Sequence, residues 1–282
     1  MEDKYIKFLE DNIYVENNID VEDNIDEKKF CFKCDKETLK HYRDTKSGKD
    51  DNYKYHLEVL PQPYFGNIIS PKVLILGKNP SYEDGNHNKE YVNNNDNTDT
   101  IAFNNSNKTL KDYIYNLKNV DFFKPENEDN KYFVNCAWHW WYKKVFGENN
   151  NFNNFNDNVG IINLCPYHSK RYNEIKTNQF TERENALRTQ IKHILKDRCE
   201  LIIIVWGYNI WEKFINSDKE LSKLFNNKNK IILNKLKNPT KKGCLYGQNI
   251  RTIKTIINND NDRYDEVAYN KMKEIFKNQL KD

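Results

Sequence analysis

The chain has 282 residues, 37% of them hydrophobic and 13% aromatic, with a formal net charge of +3. It is long enough to bury a sizeable core and too aromatic for a disordered segment. No apolar run approaches the roughly 18–20 residues that cross a bilayer, and Met1-Glu2-Asp3-Lys4 does not open a signal peptide, so a cytoplasmic protein is expected and a membrane partner is not.

Residues 1–30 hold ten acids against four lysines, a local charge of −6, which leaves +9 on the remainder. A body of that charge suits a polyanion such as DNA, and the acidic end suits a protein partner. The first ~55 residues alternate short apolar patches with acids and end in the polar run Thr45-Lys46-Ser47-Gly48-Lys49-Asp50-Asp51. They read as an N-terminal appendage with some helix. Within it, Cys31-Phe32-Lys33-Cys34 is the one metal-like pair, but there is no second C-x-x-C to complete a zinc or cluster site. The six cysteines lack the spacing of a disulfide scaffold, so ordinary thiols in a reducing compartment are expected, with no metal and no cofactor, while a site completed in space by His41 and another cysteine stays open as the alternative.

The body begins near Leu57. Val73-Leu74-Ile75-Leu76 is a continuous apolar run ending at Gly77, the pattern of a strand buried on both faces. Residues 159–164, 201–205 and 230–233 share that character. Between them, 182–198 places Ala186, Leu187, Ile191, Ile194 and Leu195 on one helical stripe, with acids early and Lys196 and Arg198 late, as the helix dipole favours. A closing helix is expected over 265–280. Apolar runs alternating with helices imply an α/β fold: a three-layer α/β/α arrangement around a four-stranded, largely parallel sheet. Ligands of such sheets sit at the carboxyl ends of the strands, which makes the residues after each strand the ones to read.

Gly77-Lys78-Asn79-Pro80-Ser81-Tyr82 follows the first strand. The glycine permits close approach of a ligand, and Asn79 presents an amide able to hold a water. The second strand carries Asn163 inside an apolar run, then Cys165-Pro166-Tyr167-His168-Ser169. A buried amide there needs partners, since leaving it unpaired costs roughly 1–3 kcal/mol. The third strand ends at Val205-Trp206-Gly207, and the last is followed by Leu236-Lys237-Asn238-Pro239-Thr240-Lys241-Lys242.

The ordered set Gly77-Lys78-Asn79-Pro80, Ile162-Asn163-Leu164-Cys165-Pro166, Val205-Trp206-Gly207 and Asn238-Pro239-Thr240 resembles the uracil-DNA glycosylase superfamily. It is nearest to the single-strand-selective and mismatch-specific branches, whose first motif reads Gly-x-Asn-Pro. The similarity spans about 60–257, within a body of residues 56–282. Leu60-Pro61-Gln62-Pro63-Tyr64, Trp140-Trp141 and Pro166-Tyr167-His168-Ser169 are similar to a more divergent bacterial subgroup.

The resemblance implies an enzyme that flips a uracil or modified base out of DNA and hydrolyses its N-glycosidic bond. It implies that Asn79 positions the attacking water and Asn163 reads the base edge, with Gly77, Lys78, Pro80 and Tyr82 lining the base pocket. Asn238 would act in the last motif, and Lys237, Thr240, Lys241 and Lys242 would grip DNA. Two positions depart from the pattern: Asn238 stands where the family has histidine, and Ser81 where glycine is usual. Either activity is lower, or His168 supplies the missing donor, or the substrate is not uracil but a base such as a modified cytosine. Two alternatives stay open, a non-catalytic DNA- or protein-binding relative and a hydrolase of free nucleosides or nucleotides. Structural readings also stay open: Asn79-Pro80 as a plain turn, Asn163 as a core amide, His168 as a solvated loop histidine, Trp138, Trp140 and Trp141 as packing, and the lysines as a solvated face.

Overall fold

The computed structural model describes residues 4–19, 26–57, 60–80, 110–118, 158–172, 181–196, 201–205, 208–225, 231–236 and 250–252. The closing helix expected over 265–280 lies outside them.

The N-terminal segment builds helix α1 (Lys4–Asn12), strands β1 (Ile13–Ile19) and β2 (Asp26–Phe32), a single 3-10 turn (Lys33–Asp35), and helices α2 (Lys36–Arg43) and α3 (Lys46–Lys49). β1 and β2 form an antiparallel ribbon, with Ile13 opposite Phe32 and Ile19 opposite Asp26. The polar composition of 15–30 concealed this ribbon, because its strands lack the alternation that marks a half-buried sheet. The base of the ribbon is apolar: Ile13, Cys31 and Phe32 are buried, as are Tyr5, Ile6 and Leu9 of α1 and Leu39 and Tyr42 of α2. All of them belong to one hydrophobic cluster with the strands of the body. The segment expected as an appendage is therefore docked on the body.

The body carries β3 (Tyr64–Gly66), β4 (Val73–Gly77), helix α4 (Leu110–Asn116), β5 (Val159–Asn163), helix α5 (Thr181–Lys196), β6 (Leu201–Val205), helices α6 (Tyr208–Asn216) and α7 (Lys219–Phe225), β7 (Ile231–Leu236) and β8 (Ile250–Thr252). Helices and sheets are mixed, as expected of an α/β chain. β4 lies between β5 and β6 and is parallel to both. Every residue of β4 and β5 is buried, which is why both read as unbroken apolar runs. The main sheet runs β3-β5-β4-β6-β7-β8, so it is longer than the four strands expected. Its β3 edge is antiparallel, Tyr64 pairing with Ile162 and Gly66 with Gly160. A three-residue strand is too short to register as a pattern, so β3 leaves no periodic signal in the sequence.

Helix α5 starts with Glu182 and Glu184 and ends with His193 and Lys196, matching the macrodipole. Leu187, Ile191, Ile194 and Leu195 bury its apolar face, and Gln190 Nε2 donates to Ile68 O at 2.7 Å across that contact. Arg183 and Glu184, in the first turn of the same helix, are also buried. α6 buries Trp211, Phe214 and Ile215, and the Trp211 ring meets Phe214 edge-on at 5.4 Å. Among the described residues, no helix is long and apolar enough to cross a membrane.

Candidate functional site

Parallel pairing sets Gly77 and Asn163 side by side as the last residues of β4 and β5. The two loops that follow run together: Leu164 N donates to Gly77 O at 3.0 Å, Cys165 N to Lys78 O at 2.8 Å and Ser169 N to Pro80 O at 3.4 Å. Asn79 and Asn163, 84 positions apart in the chain, are thereby held on adjoining strand ends. Beneath them, Trp211 Nε1 donates to Gly77 O at 3.0 Å, a second bond that holds the end of β4.

Asn163 is 5% exposed. Its Nδ2 donates to Gln62 O at 2.8 Å, and because a carbonyl can only accept, that contact fixes which end of the amide is oxygen. Oδ1 then faces Gly77: a Cβ on residue 77 would fall inside contact distance of this atom. Glycine at 77 leaves the room that the amide oxygen occupies. The structural reading of Asn163 as a backbone-paired amide holds for its nitrogen, whereas Oδ1 accepts no hydrogen bond from a described residue.

Asn79 is half-buried. Its Nδ2 donates to Pro80 O at 2.9 Å and to Ser169 Oγ at 2.8 Å, so both amide hydrogens are committed. Ser169 Oγ in turn donates to Arg171 O at 3.0 Å, which makes the serine oxygen the acceptor in its contact with Asn79. The direction of this chain leaves Asn79 Oδ1 as the side chain's remaining polar atom. The two strand ends thus present amide oxygens with fixed orientations, suited to accept from a water, an N–H or an amino group.

His168 is 9% exposed and forms an isolated antiparallel bridge with His56, whose backbone N–H donates to His168 O at 2.9 Å. It is a packed residue, and the solvated-loop reading is corrected by that burial. Lys78 is half-buried, with Nζ 5.8 Å from the centroid of the Tyr172 ring. Gly77 and Pro80 are buried. Tyr82, Lys237, Asn238, Thr240, Lys241 and Lys242, together with Trp138, Trp140, Trp141, Trp206 and Gly207, lie outside the described residues.

Three contributors were not singled out from the sequence. Ser169 and Gln62, which hold the two amides, stand inside quoted motifs, so the signal was present but was assigned to neighbouring residues. The third is a buried group 132 to 148 residues apart in sequence. Asp35 Oδ2 accepts from Tyr167 Oη at 2.8 Å and from Arg183 Nε at 2.8 Å, while Arg183 Nη1 donates to Leu164 O at 2.7 Å. Tyr167 Oη also accepts from Phe32 N at 3.1 Å. Burial pushes the Asp35 carboxyl above its ordinary range, opposed by Arg183 and the Tyr167 hydroxyl. Burial also holds the Tyr167 phenol protonated, as its role as donor requires.

Among the described residues no three His, Cys, Asp or Glu side chains come together at the Cys31/Cys34 pair, or elsewhere, as a metal would need. Burial raises the Cys34 thiol to about 12, with Asp35 adding to the shift, which disfavours the thiolate that binds metal. Comparison with protein-family models, with curated proteins and with solved structures finds no match.

Proposed function

We propose that the protein is a DNA glycosylase of the uracil-DNA glycosylase type, which flips a uracil or modified base from DNA and hydrolyses its N-glycosidic bond. One observation carries this reading: Asn79 and Asn163 stand on neighbouring strand ends, each with its amide nitrogen bonded to a protein acceptor and its oxygen accepting from no described residue. The sheet fits the same proposal as a largely parallel, three-layer arrangement with its ligand at the carboxyl ends of the strands. Thiols at Cys34 and Cys165 that form no disulfide fit a reducing cytoplasm.

In the proposed reaction, water bonds to C1′ of the sugar as the C1′–N bond breaks and the electron pair leaves with the base; the proton that the added water then loses is balanced by the proton the base anion takes up. Asn79 Oδ1 accepts a hydrogen bond from the water and aims its lone pair at C1′. An amide is too weak a base to remove the proton early, so the gain comes from orientation and from electrostatics. Asn163 Oδ1 accepts from an N–H or amino group on the base edge, and its second Nδ2 hydrogen can donate to a neighbouring ring atom or carbonyl. The basic stretch Lys237, Thr240, Lys241 and Lys242 meets phosphates.

The test uses oligonucleotides, single-stranded and duplex, carrying uracil, hydroxymethylated or glucosylated cytosine, or ordinary bases. After incubation, alkali cleaves any abasic site. Strand breaks at one class of base, lost in Asn79→Ala, are the expected result. Tight salt-dependent binding with every strand intact would refute the enzyme and leave a non-catalytic DNA-binding relative.

A further inference from the structure

We propose that Asp35, from the N-terminal segment, is a positioning residue for the strand-end site, acting through Tyr167 and Arg183 on the 164–169 loop that holds Asn79. The assignment of a reaction to that site depends on the glycosylase reading; the mechanical link does not.

The link can be followed atom by atom. Asp35 is fully buried and uses one carboxylate oxygen to hold two side chains of the body, the Tyr167 hydroxyl and the Arg183 guanidinium, both at 2.8 Å. Arg183 extends the same grip to the loop backbone at Leu164 O. Tyr167 lies inside the loop itself, 1% exposed, with its ring 6.3 Å from Phe32 and 6.0 Å from Tyr55, both of the N-terminal segment. Two backbone bonds tie the same loop down on either side of Tyr167, Gln62 N to Pro166 O and His56 N to His168 O. At its far end Ser169 takes the Asn79 amide. The loop that sets the Asn79 side chain is therefore fastened on one side to β4 and on the other to residues 32–56.

Charge explains why the grip is specific. A buried carboxylate and a buried guanidinium are each costly alone, and each is tolerated here because the other completes its hydrogen bonds. Shifting the loop would pull the Tyr167 hydroxyl from Asp35 Oδ2 and Leu164 O from Arg183 Nη1, leaving the pair with buried bonds unmade, so the loop's position is set by a geometry with few alternatives. Small displacements of a water-positioning group carry large rate effects, whereas the affinity of a long DNA substrate depends mainly on phosphate contacts elsewhere.

Tyr167→Phe removes the hydroxyl while keeping the ring, and Asp35→Asn keeps the shape while removing the charge. Ile6→Val, in the same segment and with an aliphatic side chain that takes no part in the hydrogen bonds of the network, controls for mild loss of stability. Hydrogen exchange is read at the Cys165 and Ser169 amides and at the Asn79 side-chain amide. In Tyr167→Phe and Asp35→Asn these exchange at least about tenfold faster, while amides of β6 and α6 change no more than in Ile6→Val. On the oligonucleotide that the native protein cleaves, kcat falls on the order of 10²-fold with KM within about twofold.

Uniform changes in exchange across loop and core, or kcat and KM moving as in Ile6→Val, would overturn the proposal and leave Asp35 a structural residue. If the native protein cleaves no oligonucleotide, the glycosylase reading falls, and the exchange measurement decides the link by itself.

Discussion

Adding a methyl group at Gly77 perturbs the strand-end geometry at its tightest point. In Gly77→Ala the new Cβ would lie closer than 3.0 Å to Asn163 Oδ1 and 3.6 Å from its Cγ. The amide cannot swing aside freely, because its Nδ2 is bonded to Gln62 O at 2.8 Å and the residue is 5% exposed. Breaking that bond leaves buried polar groups unsatisfied, at about 1–3 kcal/mol. Keeping it forces the strand ends apart where Leu164 N meets Gly77 O, an overpacking that also costs about 1–3 kcal/mol. Either route predicts a loss of about 2 kcal/mol, read as a lower urea midpoint at unchanged m-value. The contact itself is isolated by a double-mutant cycle. In Asn163→Ala the methyl of residue 77 enters the space the amide has vacated, so the second substitution costs little and a coupling of about 1–2 kcal/mol is expected. Additivity within about 0.5 kcal/mol would show that the two residues do not touch, and the derived orientation of the Asn163 amide would fall with it.

Asp35→Ala strands the Arg183 guanidinium in the core and should cost about 3–5 kcal/mol in urea melts; adding Arg183→Met should recover much of it, and an equal loss in the double variant would deny the pairing. Glu184, buried at the start of α5, has its carboxyl pushed up to about 7 by burial, against the pull of Arg183 and Arg188. Its folded-state value lies above the unfolded value of 4.5, so the fold holds the proton more tightly and stability declines as pH rises between those values. Glu184→Gln should remove that decline and raise stability at pH 8 by on the order of 2 kcal/mol with little effect at pH 4; parallel melts at the two pH values check it. Ser169→Ala takes away the acceptor that orients the Asn79 amide, so under the proposed glycosylase reading base release should fall at least about tenfold while Tm drops by about 2–4 °C or less, and unchanged release would separate Ser169 from the site.

Local pattern was enough for the elements that carry the site. Val73 to Gly77 and Val159 to Asn163 are strands because consecutive β-branched and aliphatic residues are satisfied by burial on both faces, and Leu201 to Val205, a run of the same composition, is a strand as well. Helix α5 followed from a spacing that any α-helix would turn to one side. Asn79 and Asn163 stood out by the same logic, as amides at the ends of apolar runs. The folded chain alone decided which way each amide turns, because Gln62 and Ser169 approach from other elements and one bond to each determines where oxygen and nitrogen lie. It also decided that β3 closes one edge and that Asp35 meets Arg183. Such contacts leave no periodic trace: a buried aspartate and its arginine 148 positions away look like surface charges until the core closes around both.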